Sequence, residues 1–183
     1  KKKKNGLGVD VFEALTSGQS NVAIGLDSLT ALTTGNYNTG VGRLTLSAVT
    51  TTSNNTAVGG VALQNNTGGD NTAVGSSALT ANTSGQYNTA VGSTALDANT
   101  TAGYQTAVGY AALSTVNGGL ENTSVGGNST ALLTTGSYNV AVGTNALYAS
   151  TTANRNTAAG YSAMDANTTG SDNVGIGNHS LGP

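Results

Sequence analysis

A five-residue phrase recurs along this chain at a spacing that hardly varies. It reads NVAIG at Asn21, NTGVG at Asn38, NTAVG at Asn55, Asn71 and Asn88, and QTAVG at Gln105, then NTSVG at Asn122, NVAVG at Asn139, NTAAG at Asn156 and NVGIG at Asn173. Successive starts lie seventeen residues apart, with one interval of sixteen between Asn55 and Asn71, and a looser copy, KNGLG, begins at Lys4. Counting the first residue of the phrase as position 1, position 5 is glycine without exception: Gly8, Gly25, Gly42, Gly59, Gly75, Gly92, Gly109, Gly126, Gly143, Gly160 and Gly177. A fixed period of this length is the signature of a chain that stacks one supersecondary unit upon the next.

Two further columns are apolar. Position 4 holds Ile24, Val41, Val58, Val74, Val91, Val108, Val125, Val142 and Ile176. Position 9 holds Phe12, Leu29, Leu46, Leu63, Leu79, Leu96, Leu113, Leu147, Met164 and Leu181. Both are expected to form an aliphatic core. In the copy that begins at Asn122 the second column is expected to shift to Leu132, through a local bulge. A β-branched residue at position 2 and another at position 4, ended by glycine, predict a short strand, and the Ala-Leu segment predicts a second. Gly18, Gly35, Gly68, Gly85, Gly119, Gly136 and Gly170 recur three residues before the next start, where a turn with positive φ is expected. Two glycines per repeat with abundant Asn and Thr disfavour helix.

The fold class that follows is all-β: a parallel β-solenoid or β-roll of about eleven turns, the last truncated, with two short strands per turn. Residues 4–183 form this single domain and residues 1–3 a basic end. Stacking in register predicts an amide ladder along the Asn column, with hydrogen bonds running along the axis at roughly 4.8 Å per turn. Two aliphatic side chains per turn make a thin core against the entropy of ordering the backbone. The smooth Ala/Gly face at position 3 is therefore expected to pack against sister chains in a trimer.

Composition narrows the function. Charged residues are 8% of the chain and four of the six basic ones are Lys1 to Lys4, so no distributed basic face exists to bind nucleic acid. The Lys run itself reads as a solvated end or an expression scar. No cysteine is present, and no run of apolar residues is long enough for a transmembrane helix. The lack of an initiating Met and of a signal peptide reads as a piece of a longer polypeptide.

The NTAVG phrase, followed by Ala-Leu and an NTTG-like loop, resembles the head repeats of YadA-like trimeric autotransporter adhesins. It is similar in wording to NTAVG repeats of phage tail fibres and of surface proteins that carry a self-cleaving C-terminal chaperone domain. The resemblance runs from Lys4 to Leu181, although the adhesin heads usually have shorter repeats. It implies trimeric assembly, an extracellular place on a cell or virion surface, and attachment to a host surface or matrix receptor.

No constellation for catalysis is expected. His179 is the sole histidine, and the acidic residues Asp10, Glu13, Asp27, Asp70, Asp97, Glu121, Asp165 and Asp172 do not share a column as a calcium-binding repeat requires. The chain is accordingly read as a non-enzyme without metal or cofactor. Tyr37, Tyr87, Tyr104 and Tyr138 stand immediately before a repeat start, in a column that also accepts Asp70, Glu121, Arg155 and Asp172. That column should face solvent, where tyrosines either offer a contact surface for sugar or protein or cover the neighbouring turn. The leading expectation is a structural and adhesive fibre segment. The alternatives are a filament subunit polymerising end to end through uncapped turns, and an ice-binding protein using the threonines at position 2.

Overall fold

The computed structural model describes residues 6–182, so the Lys1–Lys4 run lies outside the described residues. Across them the chain winds as a parallel β-solenoid. Each phrase contributes one three-residue strand: β1 (Val22–Ile24), β2 (Thr39–Val41), β3 (Thr56–Val58), β4 (Thr72–Val74), β5 (Thr89–Val91), β6 (Thr106–Val108), β7 (Thr123–Val125), β8 (Val140–Val142), β9 (Thr157–Ala159) and β10 (Val174–Ile176). They form a single ten-stranded sheet in sequence order, and every pair is in register, as in Thr72↔Thr89, Ala73↔Ala90 and Val74↔Val91. A partial turn precedes them, its Leu7 bridging Ile24. The sixteen-residue turn keeps the register, Thr56↔Thr72, because its missing residue is taken from the exposed corner between Thr67 and Gly68.

Glycine at position 5 answers two demands at once. Its φ lies between 117° and 142°, a region that L side chains rarely adopt, and a Cβ on Gly92 would stand 2.3 Å from the carbonyl oxygen of Gly109 in the next turn. The predicted second strand is absent. Beyond the glycine, positions 7 and 9 both take left-handed backbone, as in Thr94 (φ 55°) and Leu96 (φ 54°), and this alternation bends the chain too sharply for a strand. The arc still bonds axially, Leu29 N–H to Thr45 O at 3.0 Å and Leu79 N–H to Ala95 O at 3.0 Å. The expected positive-φ turn at Gly18, Gly35, Gly68, Gly85, Gly119, Gly136 and Gly170 is also corrected. None of these glycines has positive φ; the left-handed residue comes two positions later, as at Tyr37 (φ 56°) and Tyr87 (φ 59°).

The core differs from the expected one in a column. A three-residue strand must alternate its faces, and here position 3 points inward while positions 2 and 4 point out. Ala23, Ala57, Ala73, Ala90, Ala107, Ala141 and Ala158 are thus buried, and the position 4 residues are not core: Ile24, Val58, Val74, Val91, Val142 and Ile176 are exposed and Val41, Val108 and Val125 half-buried. The Ala/Gly face therefore closes on the chain's own interior and is not open to a sister chain. Leu29, Leu46, Leu63, Leu79, Leu96, Leu113 and Leu147 are buried as expected, whereas Leu181, in the final turn, is exposed. A further inward column at position 12, Leu32, Val49, Val116 and Leu133, completes the aliphatic core.

Position 3 is sized to what faces it. Most turns set Ala at position 3 against Ala at position 8. Gly40 holds position 3 where it faces both Thr45 of its own turn and Ser28 of the turn before, and its Cβ would lie 2.6 Å from Ser28 Oγ and 2.9 Å from Thr45 Oγ1. Gly175 likewise makes room for Met164, with a Cβ distance of 2.5 Å to its Cγ. The turn of Asn122 solves the problem by hydrogen bonding. No bulge occurs; Thr130 takes position 9, fully inside, while Leu132 is 41% exposed. Thr130 and Ser124 hydroxyls pair at 3.0 Å, and Ser124 Oγ donates to Ser129 O at 2.8 Å, so a hydroxyl cluster replaces Ala, Ala and Leu. The aliphatic core is divided there, one part ending at Leu133 and the other starting at Ala141.

The amide ladder exists. From Asn21 to Asn156 each position 1 side chain accepts the backbone N–H of the next position 1 residue and donates to the carbonyl of position 15, as Asn71 Oδ1 accepts from Asn88 N at 3.0 Å and Asn71 Nδ2 donates to Gly85 O at 2.9 Å. Gln105 serves the same column, donating to Gly119 O at 2.7 Å and accepting from Asn122 N at 3.2 Å. A second ladder joins Asn66, Asn82 and Asn99 at position 12, with Asn82 Nδ2 donating to Asn66 Oδ1 at 2.6 Å and Asn99 Nδ2 to Asn82 Oδ1 at 3.1 Å. It stops where Val116 follows, and Asn99 Oδ1 is left buried without a partner. Position 13 adds threonine hydroxyls that donate to the backbone carbonyl one turn on at Thr16, Thr33, Thr67, Thr83, Thr134 and Thr151, as Thr83 Oγ1 to Thr100 O at 2.9 Å.

Candidate contact surfaces

With the interior and the axial hydrogen bonds accounted for, two stripes of side chains remain free to meet other molecules. The first is the outer face of the sheet. Position 2 and position 4 stand side by side on it in every turn, giving a threonine rank (Thr39, Thr56, Thr72, Thr89, Thr106, Thr123, Thr157) beside a valine rank (Val41, Val58, Val74, Val91, Val108, Val125, Val142). Parallel register spaces each rank by roughly 4.8 Å per turn. The face carries no charge, and the Val residues expose about a third of their surface or more at Val58, Val74, Val91 and Val142. It is an ordered, uncharged strip in which exposed valines run along the axis, the kind of surface that marks an interaction site.

The second stripe is the column before each repeat start. Tyr37, Tyr87, Tyr104 and Tyr138 are all exposed, as the tolerance of that column for charge required. Each takes left-handed backbone, with φ between 56° and 60°, and Tyr37, Tyr104 and Tyr138 are held by an axial hydrogen bond such as Tyr104 N–H to Gln86 O at 3.1 Å. Tyr87 and Tyr104 stack with ring centroids 4.9 Å apart, the separation their consecutive turns impose. Above them opens a groove of about 360 Å³ lined by Ser84, Gln86, Thr101, Gly103, Leu120 and Glu121 along with the two rings. Of the two expected roles, covering of the neighbouring turn is seen at Tyr87 and Tyr104, where ring lies on ring. Tyr110, Tyr148 and Tyr161 are exposed as well, at positions the column did not include. Their signal in the sequence was weak because positions 6 and 10 hold residues of mixed type from turn to turn.

Toward β10 the same column becomes charged. Arg155 Nε lies 2.6 Å and Nη2 2.9 Å from the two carboxylate oxygens of Asp172, a bidentate pair one turn apart. That hydrogen bonding, helped by the guanidinium charge, holds Asp172 below the usual carboxylate range and Arg155 above its own. Asp97 moves the other way: burial at position 10 pushes its carboxyl up, against hydrogen bonds from the backbone at Asp97 and Ala98. His179 sits edge-on to Tyr161 with centroids 5.4 Å apart. No three His, Asp or Glu side chains converge on a common point among the described residues.

These features define a class: a parallel β-solenoid repeat protein with one strand per turn that keeps its polar side chains for stacking and presents a continuous Thr/Val face and an interrupted tyrosine column. Comparisons with protein-family models, curated proteins and solved structures return no match to the chain. Among the described residues no helix is long and apolar enough to cross a membrane.

Proposed function

We propose that this chain is a non-enzymatic segment of an extracellular structural and adhesive fibre, assembled from parallel copies of itself. The observation that carries the reading is the division of labour among the columns. Asn at positions 1 and 12, Thr at position 13 and Gly at position 5 all serve one turn's contact with the next, which yields length and stiffness. What is left is an uncharged Thr/Val strip and a tyrosine stripe on separate faces. An uncharged strip of this regularity suits burial against the same strip of a sister chain, in a trimer whose partners supply the burial that a thin core lacks. The tyrosine stripe then points outward as the attachment surface.

Sedimentation and electron microscopy test the assembly together. The expected result is a bounded rod of trimeric mass that Val91→Arg converts to monomer, since a charge on the strip must then be buried. A stable monomer at micromolar concentration overturns the trimer, and indefinitely long fibres favour the end-to-end filament instead. Attachment is read by binding of the intact chain to host cells or matrix. It should fall in Tyr87→Ser with Tyr104→Ser while the rod persists. Ice binding by the Thr/Val strip is a separate reading, and thermal hysteresis at millimolar protein would be its mark.

A further inference from the structure

In a solenoid the columns repeat because each turn must fit its neighbours, so a cluster that departs from the columns and makes no contact of its own calls for another explanation. Such a cluster spans the turns of β7 to β9. Asn128 and Asn145 occupy position 7 in consecutive turns, and Tyr148 and Asp165 occupy position 10 in the two turns of β8 and β9. The four line one groove of about 300 Å³, at the lower end of the size of small-ligand sites.

The backbone of the site is fixed. Asn128 N–H donates to Tyr110 O at 2.8 Å, Asn145 N–H to Gly127 O at 3.0 Å, and Ala149 N–H to Asp165 O at 3.0 Å. Asn128 and Asn145 hold left-handed backbone, φ 53° and 57°, which asparagine accepts more readily than most residues. Their side chains, by contrast, are uncommitted. The amides of positions 1 and 12 are spent on ladders, whereas the side-chain polar atoms of Asn128, Asn145, Tyr148 and Asp165 bond no other described residue. Asp165 Oδ1 is buried beside Gly182 with no partner among the described residues, which leaves Oδ2 as the accessible oxygen of that carboxylate.

The geometry points to a saccharide-binding site in this groove, for a neutral pyranose with adjacent free hydroxyls. A hydroxyl both donates and accepts, and an amide offers both partners; the accessible oxygen of Asp165 accepts from a hydroxyl as well. Tyr148, 40% exposed, supplies a ring for the apolar C–H face of the sugar and a phenol for its edge. The groove has one carboxylate and no cation, so an acidic sugar is disfavoured. One carboxylate with two amides is also a poor shell for calcium, which takes six to eight oxygens. This assignment rests on the attachment reading and names its ligand class at a place apart from the Tyr87–Tyr104 stripe.

Saturation-transfer NMR on the intact chain with methyl glycosides of glucose, galactose, mannose and N-acetylglucosamine tests it. At least one glycoside should bind, in the millimolar range expected of so small a ligand, with and without EDTA. Asn145→Ala and Tyr148→Ala should each weaken binding at least tenfold with the melting temperature kept, and Asp165→Asn should do the same. Tyr87→Ser with Tyr104→Ser should leave it unchanged. Absence of binding across the panel, binding unaffected by all three groove variants, or binding abolished by EDTA overturns the site. Because the glycosides are free in solution, that failure with cell attachment intact removes this groove alone. Glycoside binding by the unaltered chain with no attachment of that same chain to cells or matrix counts against the fibre reading instead.

Discussion

At the scale of single residues, position 5 shows how one side chain can be excluded twice. Gly92→Ala would have to take φ near 140° and press its Cβ on Gly109 O, so a loss of about 3 kcal/mol or more is expected from strain and overpacking together. Gly127→Ala, one position further on in its turn, meets nothing within 4 Å and should stay within about 0.5 kcal/mol, both read from denaturant midpoints. Gly40→Ala is expected to destabilise through Ser28 and Thr45, and the addition of Ser28→Ala and Thr45→Ala should recover most of the loss in a mutant cycle. Asp97 gives a pH test. Its carboxyl is raised by burial, so the folded chain binds the proton more tightly than the unfolded one. The penalty is complete above the folded pKa and fades as the pH falls through it. Asp97→Asn should therefore raise the melting temperature at about pH 7 and lose that advantage near about pH 3.

At the scale of the turn, stability is distributed by face. Leu96→Ala removes a fully buried side chain and should cost about 2–5 kcal/mol. Val91→Ala, 37% exposed, should cost less than about 1 kcal/mol in a monomer and more when the sheet faces are paired. The hydroxyl cluster under β7 is the place where position 9, apolar in the other turns, is polar. Ser124→Ala, Ser129→Ala and Thr130→Leu made together restore the pattern of the other turns and should stabilise by about 1–2 kcal/mol, since added methylenes are buried and no polar atom is orphaned. Thr130→Leu alone should gain less, because it removes the partner of Ser124 and crowds the serines that remain.

At the scale of the whole molecule, each strand contacts only the strands before and after it. Stability is then a sum of turn energies and nearest-neighbour interfaces, and unfolding can begin wherever that sum is weakest. The break in the aliphatic core between Leu133 and Ala141 marks such a place. Hydrogen exchange should find the amides of β3 to β6 the slowest and the block from β8 to β10 exchanging as a separate, less protected unit. The triple substitution under β7 should bring the two blocks toward a common exchange rate. Equal protection along the whole rod in the unaltered chain would contradict this division.

The stacked parallel architecture, its seventeen-residue period and the amide ladder were legible in the sequence because each depends on like residues meeting like at a constant spacing. The buried leucines of position 9 and the exposed tyrosine column were legible for the same reason, one column refusing charge and the other accepting it. Direction was not. Valine and alanine alternate along three residues, and hydrophobicity favours the valine for the inside; only the tight interior, with position 8 opposite, reserves that place for Ala73 or Gly40 and turns Val74 outward. Left-handed backbone at Leu96 or Thr94 likewise has no sequence signal, since it is imposed by the axial hydrogen bonds of adjacent turns rather than preferred by the residue. The groove of Asn128, Asn145, Tyr148 and Asp165 was hidden for the converse reason: these residues are neighbours only once the coil has brought positions 7 and 10 of successive turns together.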